Sequence, residues 1–100
     1  MNHSNYIIIH NEAEQQFEYH EGGEIAKLEY RFYKKDIAFM HTEVPKALEG
    51  KGIASALAEY AFDYAKQINK PVINYCPFVS VYLKRHPELI KQLDKEYYKG

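Results

Sequence analysis

The sequence predicts an α+β fold in which an antiparallel meander precedes a helix, a parallel strand and further helices. Three observations carry that prediction. Short β-rich runs broken by turn residues occupy the chain as far as Val44. Beyond Gly52, apolar side chains recur at Ile53, Ala54, Leu57, Ala58, Ala61, Phe62, Ala65 and Ile68, which is helical spacing. A lone β-branched run at residues 72–76 then separates this helix from a second helical pattern.

Each element has a local reason. Residues 6–10 (Y-I-I-I-H) are rich in β-branched side chains and read as the first strand, with a turn at residues 11–14. Phe17 and Tyr19 alternate with Gln16 and Glu18, a second strand with one wet face. Glu21, Gly22 and Gly23 form a tight reversal. In the third strand, residues 25–32, Ala26, Leu28, Tyr30 and Phe32 share one side. Lys34, Lys35 and Asp36 turn the chain into a fourth strand over residues 37–44. The long helix, residues 52–68, has Ser55, Glu59, Asp63 and Lys66 on its polar face and ends at Asn69-Lys70-Pro71. There Asn suits a left-handed cap and Pro blocks continuation. A helical crossover places the fifth strand, residues 72–76, parallel to the fourth. Phe78, Val79, Tyr82, Leu83 and His86 mark a second helix that Pro87 interrupts, and Leu89, Ile90, Leu93 and Tyr97 mark a short last one. No linker, repeat or low-complexity stretch divides the chain, so residues 1–100 are expected to form one domain.

The bulk numbers narrow the function. Hydrophobic residues make up 46% and charged residues 27%, ordinary for a globular chain. Thirteen basic against fourteen acidic side chains give a net charge of −1, which marks neither a nucleic-acid nor a membrane partner. No apolar run reaches membrane length, and residues 1–5 lack the charged and apolar regions of a leader. The single cysteine forms no internal disulfide and suits a reducing compartment, so a cytoplasmic location is expected. The five histidines share no zinc-type spacing with one another or with Cys76, and no metal is expected.

The chemistry concentrates at His41–Leu57, H-T-E-V-P-K-A-L-E-G-K-G-I-A-S-A-L. A glycine-rich turn opening a helix leaves backbone N–H groups unpaired at the positive end of the helix dipole, a ready anion site. Which phosphate ligand follows from spacing. Neither Gly50 nor Gly52 is followed by Lys and then Ser or Thr, so the Walker pattern is absent. The dinucleotide pattern G-x-G-x-x-G fails at its third glycine, where Ser55 stands.

The stretch Gly50-Lys51-Gly52-Ile53-Ala54, after a strand ending in Val44-Pro45, resembles the R/Q-x-x-G-x-G/A pyrophosphate loop of the GNAT superfamily of acetyl-CoA-dependent N-acetyltransferases. Gly52 and Ala54 match its two small residues. Cys76-Pro77-Phe78-Val79 and Arg85-His86-Pro87-Glu88 resemble motifs of a small branch, the single-domain YjdJ-type GNAT-like proteins; together the blocks span residues 25–90. The resemblance implies a truncated GNAT fold whose fourth and fifth strands splay apart to receive acetyl-CoA. It also implies transfer of acetyl to an amine, of a small molecule or a protein, by direct attack on the thioester. The element order read above agrees with it. One departure stands out: the position that usually holds Arg or Gln is Glu49, and a carboxylate there opposes a pyrophosphate.

Candidate site residues follow. Val44, Gly50, Lys51, Gly52, Ile53 and Ala54 are the expected coenzyme cradle, mainly through main-chain N–H groups; the alternative is a helix entry that binds nothing. Lys84 and Arg85 are candidates for the 3′-phosphate end of coenzyme A, or else complement a helix C-terminus. An attacking lysine-type amine has a pKa near about 10.4, so a base or a desolvating pocket must take its proton. His41 and Glu43, two apart on the fourth strand, share a face and are candidate bases unless that face is merely wet surface. Cys76 precedes a Pro suited to a first helical turn, and is a candidate acetyl acceptor or acid toward the coenzyme sulfur; its alternative is a small buried hydrophobe. Tyr82 fits a core position whose hydroxyl has the chemistry of an acid. A rival to the enzyme is a non-enzymatic module that holds coenzyme A or acetyl-CoA and recruits a partner. The chain is expected as monomer or homodimer.

Overall fold

A computed structural model describes residues 5–96. Five strands form one sheet in sequential order: β1 (Ile9–Asn11), β2 (Gln16–Glu21), β3 (Glu24–Tyr33), β4 (Asp36–Glu43) and β5 (Val72–Asn74). The first four run antiparallel and β5 lies parallel to β4. α1 (Ile53–Gln67) is the crossover between them, and α2 (Pro77–Arg85) follows β5. The α+β expectation, meander first and helices after, describes this chain.

The β2–β3 turn shows why the meander forms. Gly22 and Gly23 sit at φ 59° and 80°, the left-handed pair that a two-residue hairpin requires, and they fix Glu21 opposite Glu24. That register places Phe17 beside Leu28 and Tyr19 beside Ala26, on the face toward α1. Phe17, Leu28, Tyr30, Ile37 and Phe39 are all buried there. Across from them α1 presents Ile53, Leu57, Ala58, Ala61, Phe62 and Ala65, the stripe its periodicity implies. Phe62 meets Phe39 edge-on at 5.1 Å and lies parallel to Tyr82 of α2 at 6.3 Å, so one ring joins sheet and both helices.

Several local expectations need correction. The first strand is Ile9–Asn11 rather than residues 6–10. Ile7 is 82% exposed, because the register with β2 begins only at Ile9 opposite Glu18. Glu18 is not on a wet surface: it is 6% exposed and accepts hydrogen bonds from Asn11 and Gln16, with His20 2.7 Å away. Burial works to raise its pKa, but those polar neighbours prevail and hold it below the usual value. Phe32 is half exposed next to the end of β3, with Lys70 Nζ 5.5 Å from its ring centre. The fifth strand stops at Asn74, two residues short of the expectation. The last helix is a 3₁₀ segment, Pro87–Gln92, because Leu93 turns extended and bridges Val72 in parallel. Its expected member Tyr97 lies outside the described residues.

At the end of α1, Asn69 takes φ 56°, and the N–H of Lys70 returns to the carbonyl of Ala65. Below this, Asp36 and Asp94 meet as a buried pair, with Lys35 Nζ 2.6 Å from Asp94 Oδ2 and 3.5 Å from Asp36 Oδ1. Burial raises the Asp36 carboxyl. Its hydrogen bond, then that of Lys35, holds Asp94 down to about 2. The pair ties the β3–β4 turn to the C-terminal segment, whose Asp94 N–H also donates to Val72 O at 2.9 Å.

Candidate functional site

β4 and β5 pair over only three positions, Ile37 with Val72, Ala38 with Ile73 and Phe39 with Asn74. The Tyr75 N–H adds a last bond to Phe39 O at 2.9 Å, and there the two chains part. A β-bulge marks the same point. Tyr30 faces Phe39 but Glu29 faces His41, so Met40 and His41 together oppose one residue of β3. Bulges bend a strand and end its pairing, so the divergence has a local cause.

The bulge also decides which side chains face which way. Two consecutive outward residues, Met40 and His41, restore Thr42 to the helix side, opposite buried Leu28. Thr42 Oγ1 lies 3.2 Å from Cys76 Sγ across the opening between the strands. Glu43 faces outward with His41, and its carboxylate is 3.8 Å from Lys27, which also pairs with Glu29 at 3.2 Å. The structure therefore does not bring the candidate catalytic residues together: Cys76 is on the helix face, while His41 and Glu43 are on the exposed one. Sequence alternation showed that His41 and Glu43 share a face, but not which. Thr42 was missed because only the bulge turns it inward.

Cys76 is 1% exposed and belongs to the core. It is the N-cap of α2 with Pro77 next, and its N–H donates to Asn74 Oδ1 at 3.0 Å. The Asn74 amide donates in turn to Ser80 Oγ at 2.9 Å, locking the strand-to-helix corner. Tyr82 is buried between α1 and α2, with its ring 4.3 Å from His86. Burial, then the carboxylates of Glu59, Asp63 and Glu88, push its pKa up to about 12.

The glycine-rich loop begins after Val44, which packs half-buried against the core. Pro45 leads into a 3₁₀ turn, Lys46–Leu48, anchored by buried Leu48. Gly50 and Gly52 adopt φ 79° and 78°, and a Cβ on either would meet open space. Gly52 caps α1 with no side-chain bond, and the first turn carries no acidic residue. The first intrahelical bond is Ala56 N–H to Gly52 O at 3.1 Å. Among the described residues the N–H groups of Ile53, Ala54 and Ser55 have no acceptor. Three aligned donors beside unobstructed space suit an oxyanion.

Lys51 does not lean into that space. Its Nζ is 2.9 Å from Glu21 of the β2–β3 hairpin, Tyr19 OH also donates to Glu21 at 2.8 Å, and Tyr6 OH donates to Lys51 O. This brace across the sheet was invisible in the local pattern. Lys84 and Arg85 stand exposed in the last turn of α2, at the opposite end of that helix from Cys76. Lys84 lines a cavity of about 390 Å³ along the outer edge of β5, with Val72, Asn74, Ser80 and Leu93. Among the described residues no three His, Cys, Asp or Glu side chains converge as a metal site, and no helix is long and apolar enough to cross a membrane.

The chain as a whole has counterparts among known proteins. The model of a GCN5-related N-acetyltransferase family matches residues 16–93, most of the chain. The chain belongs to the GCN5-related N-acetyltransferase family. Within it, the chain is 32% identical over 87 residues to Protein NATD1 of Xenopus tropicalis, covering 84% of this chain and 80% of the relative. Protein NATD1 of Mus musculus is 33% identical over 83 residues, 80% and 76% of the two chains. A GCN5-like protein of Staphylococcus aureus, solved by NMR, superposes with a TM-score of 0.68 over 97% of this chain and 99% of that one. At 24% identity it supports the acetyltransferase fold alone.

Proposed function

We propose that this family member binds acetyl-CoA with its diphosphate at the entrance of α1 and its pantetheine arm in the opening between β4 and β5, and passes the acetyl group to an amine. The observation that carries the reading is the set of unpaired N–H groups of Ile53, Ala54 and Ser55 beside the open left-handed glycines. Where β4 has lost β5, an arm bearing amides replaces the missing strand bonds. In the reaction the neutral amine nitrogen attacks the thioester carbonyl, the C–S bond breaks, the nitrogen gives up a proton and the coenzyme thiolate gains one. Cys76 and Thr42 are two polar side chains on the helix side of the opening; His41 and Glu43 serve an acceptor only from the sheet's other face.

The binding half is tested by melting temperature with coenzyme A. Wild type is expected to gain several degrees at saturation, and Gly52→Asp, which puts a carboxylate among those amides, to gain none. Equal gains in both would sink the loop assignment. Turnover is read as free thiol released from acetyl-CoA with a panel of amines. The burial of Cys76 and the carboxylate of Glu49 favour a second reading, a binding module; saturable binding with no thiol release on any amine supports it.

A further inference from the structure

At the other end of α1 the chain gathers positive charge that acetyl transfer does not use. Lys35, Lys66, Lys70, Lys91 and Lys95 line an open cavity of about 460 Å³, with Asp94 at its floor. They arrive from separate places: the β3–β4 turn, the last turn of α1, the α1–β5 turn, the 3₁₀ segment and the chain beyond it. Lys35 is committed to Asp94 and Asp36. Among the described residues Lys66, Lys70, Lys91 and Lys95 pair with no carboxylate, and Lys70 lies over the Phe32 ring. Lys66 also complements the C-terminus of α1, which accounts for one charge and not for the convergence.

Like charges held round one hollow repel and lower stability, a cost that bound anions remove. The net charge of −1 makes the concentration local, since the rest of the chain is correspondingly acidic. Lysine ammonium groups are mobile point charges suited to phosphate oxygens. Among the described residues no aromatic ring lines the hollow, so they offer bases no stacking platform. We infer that this lysine-lined cavity binds a compact di- or triphosphate, at a site separated from the glycine loop by the length of α1, about 22 Å. The inference stands independently of the coenzyme reading.

The probe is inorganic triphosphate at constant ionic strength, added to wild type, Gly52→Asp and the double variant Lys66→Gln/Lys91→Gln. Wild type and Gly52→Asp are both expected to gain about 5 °C or more in melting temperature. The double variant is expected to melt higher than wild type without ligand and to gain nothing from triphosphate. In wild type, triphosphate should shift the backbone amide NMR signals of Lys66, Asn69, Lys70 and Lys91. Shifts confined to Gly50, Gly52 and Ile53, stabilisation that persists in the lysine variant, or no response at matched ionic strength each overturn the proposal. So does a single-stranded RNA that binds where triphosphate does not, since the hollow would then serve a nucleic-acid chain.

Discussion

Glu49 concentrates the tension in this chain into one side chain. It is exposed at the C-cap of the Lys46–Leu48 turn, and its N–H is already used by Lys46 O at 3.2 Å. Only its carboxylate would therefore bear on the diphosphate that we propose the next residues hold. On that proposal an exposed carboxylate weakens binding only modestly, so Glu49→Arg is expected to tighten coenzyme A by roughly three- to tenfold, about 1 kcal/mol. Titration calorimetry measures this, and an unchanged affinity would mean that the side chain turns away from the ligand. Gly50 and Gly52, which follow it, were legible in the sequence because their φ values exclude most other residues. The Lys51–Glu21 pair was not, since its partners lie thirty residues apart and meet only after the β2–β3 hairpin closes.

At the scale of elements, the periodicities foretold what backbone preference and apolar spacing control. α1, its Asn69 terminus, the Gly22-Gly23 reversal and the parallel β5 all follow from local chemistry. What escaped were effects made by neighbours: the bulge at Met40, the burial of Glu18 and the shortening of β5. Alternation assumes an unbroken ladder, and one extra residue in β4 reverses its parity for everything that follows. α1 is held to both its neighbours through Phe62, 1% exposed and in contact with Phe39 and Tyr82. Phe62→Ala is expected to cost about 3–5 kcal/mol by leaving a cavity, while Phe62→Leu costs far less. Urea unfolding of the two variants checks this, and a loss below about 1 kcal/mol for Ala would show that the layers collapse to fill the gap.

For the molecule as a whole, buried phenols set the alkaline limit. Tyr30 is 1% exposed, shares a hydrogen bond with His10 at 2.6 Å, and is pushed up to about 12 by burial, then by Tyr64 and Glu12. Tyr82 is pushed up to about 12 in the same way. Both stay protonated in the fold while the unfolded chain releases its protons near an ordinary pKa of about 10. The folded state therefore holds more protons between those values, so stability is intact below about pH 10 and declines as pH climbs toward 12. The urea midpoint should fall steadily across that window, and Tyr30→Phe with Tyr82→Phe should flatten the decline; an unaltered slope would assign it to other groups. The sheet's two margins have an unequal future. Beside β5, Leu93 and the Asp94 N–H already occupy the rim, leaving little for another chain to grasp. Beside β1, which has no outer neighbour among the described residues, Ile9 of the strand and Ile7 just before it stand exposed. Self-association in concentrated solution should begin along that isoleucine border, which makes it the place to add charge when the protein is stored.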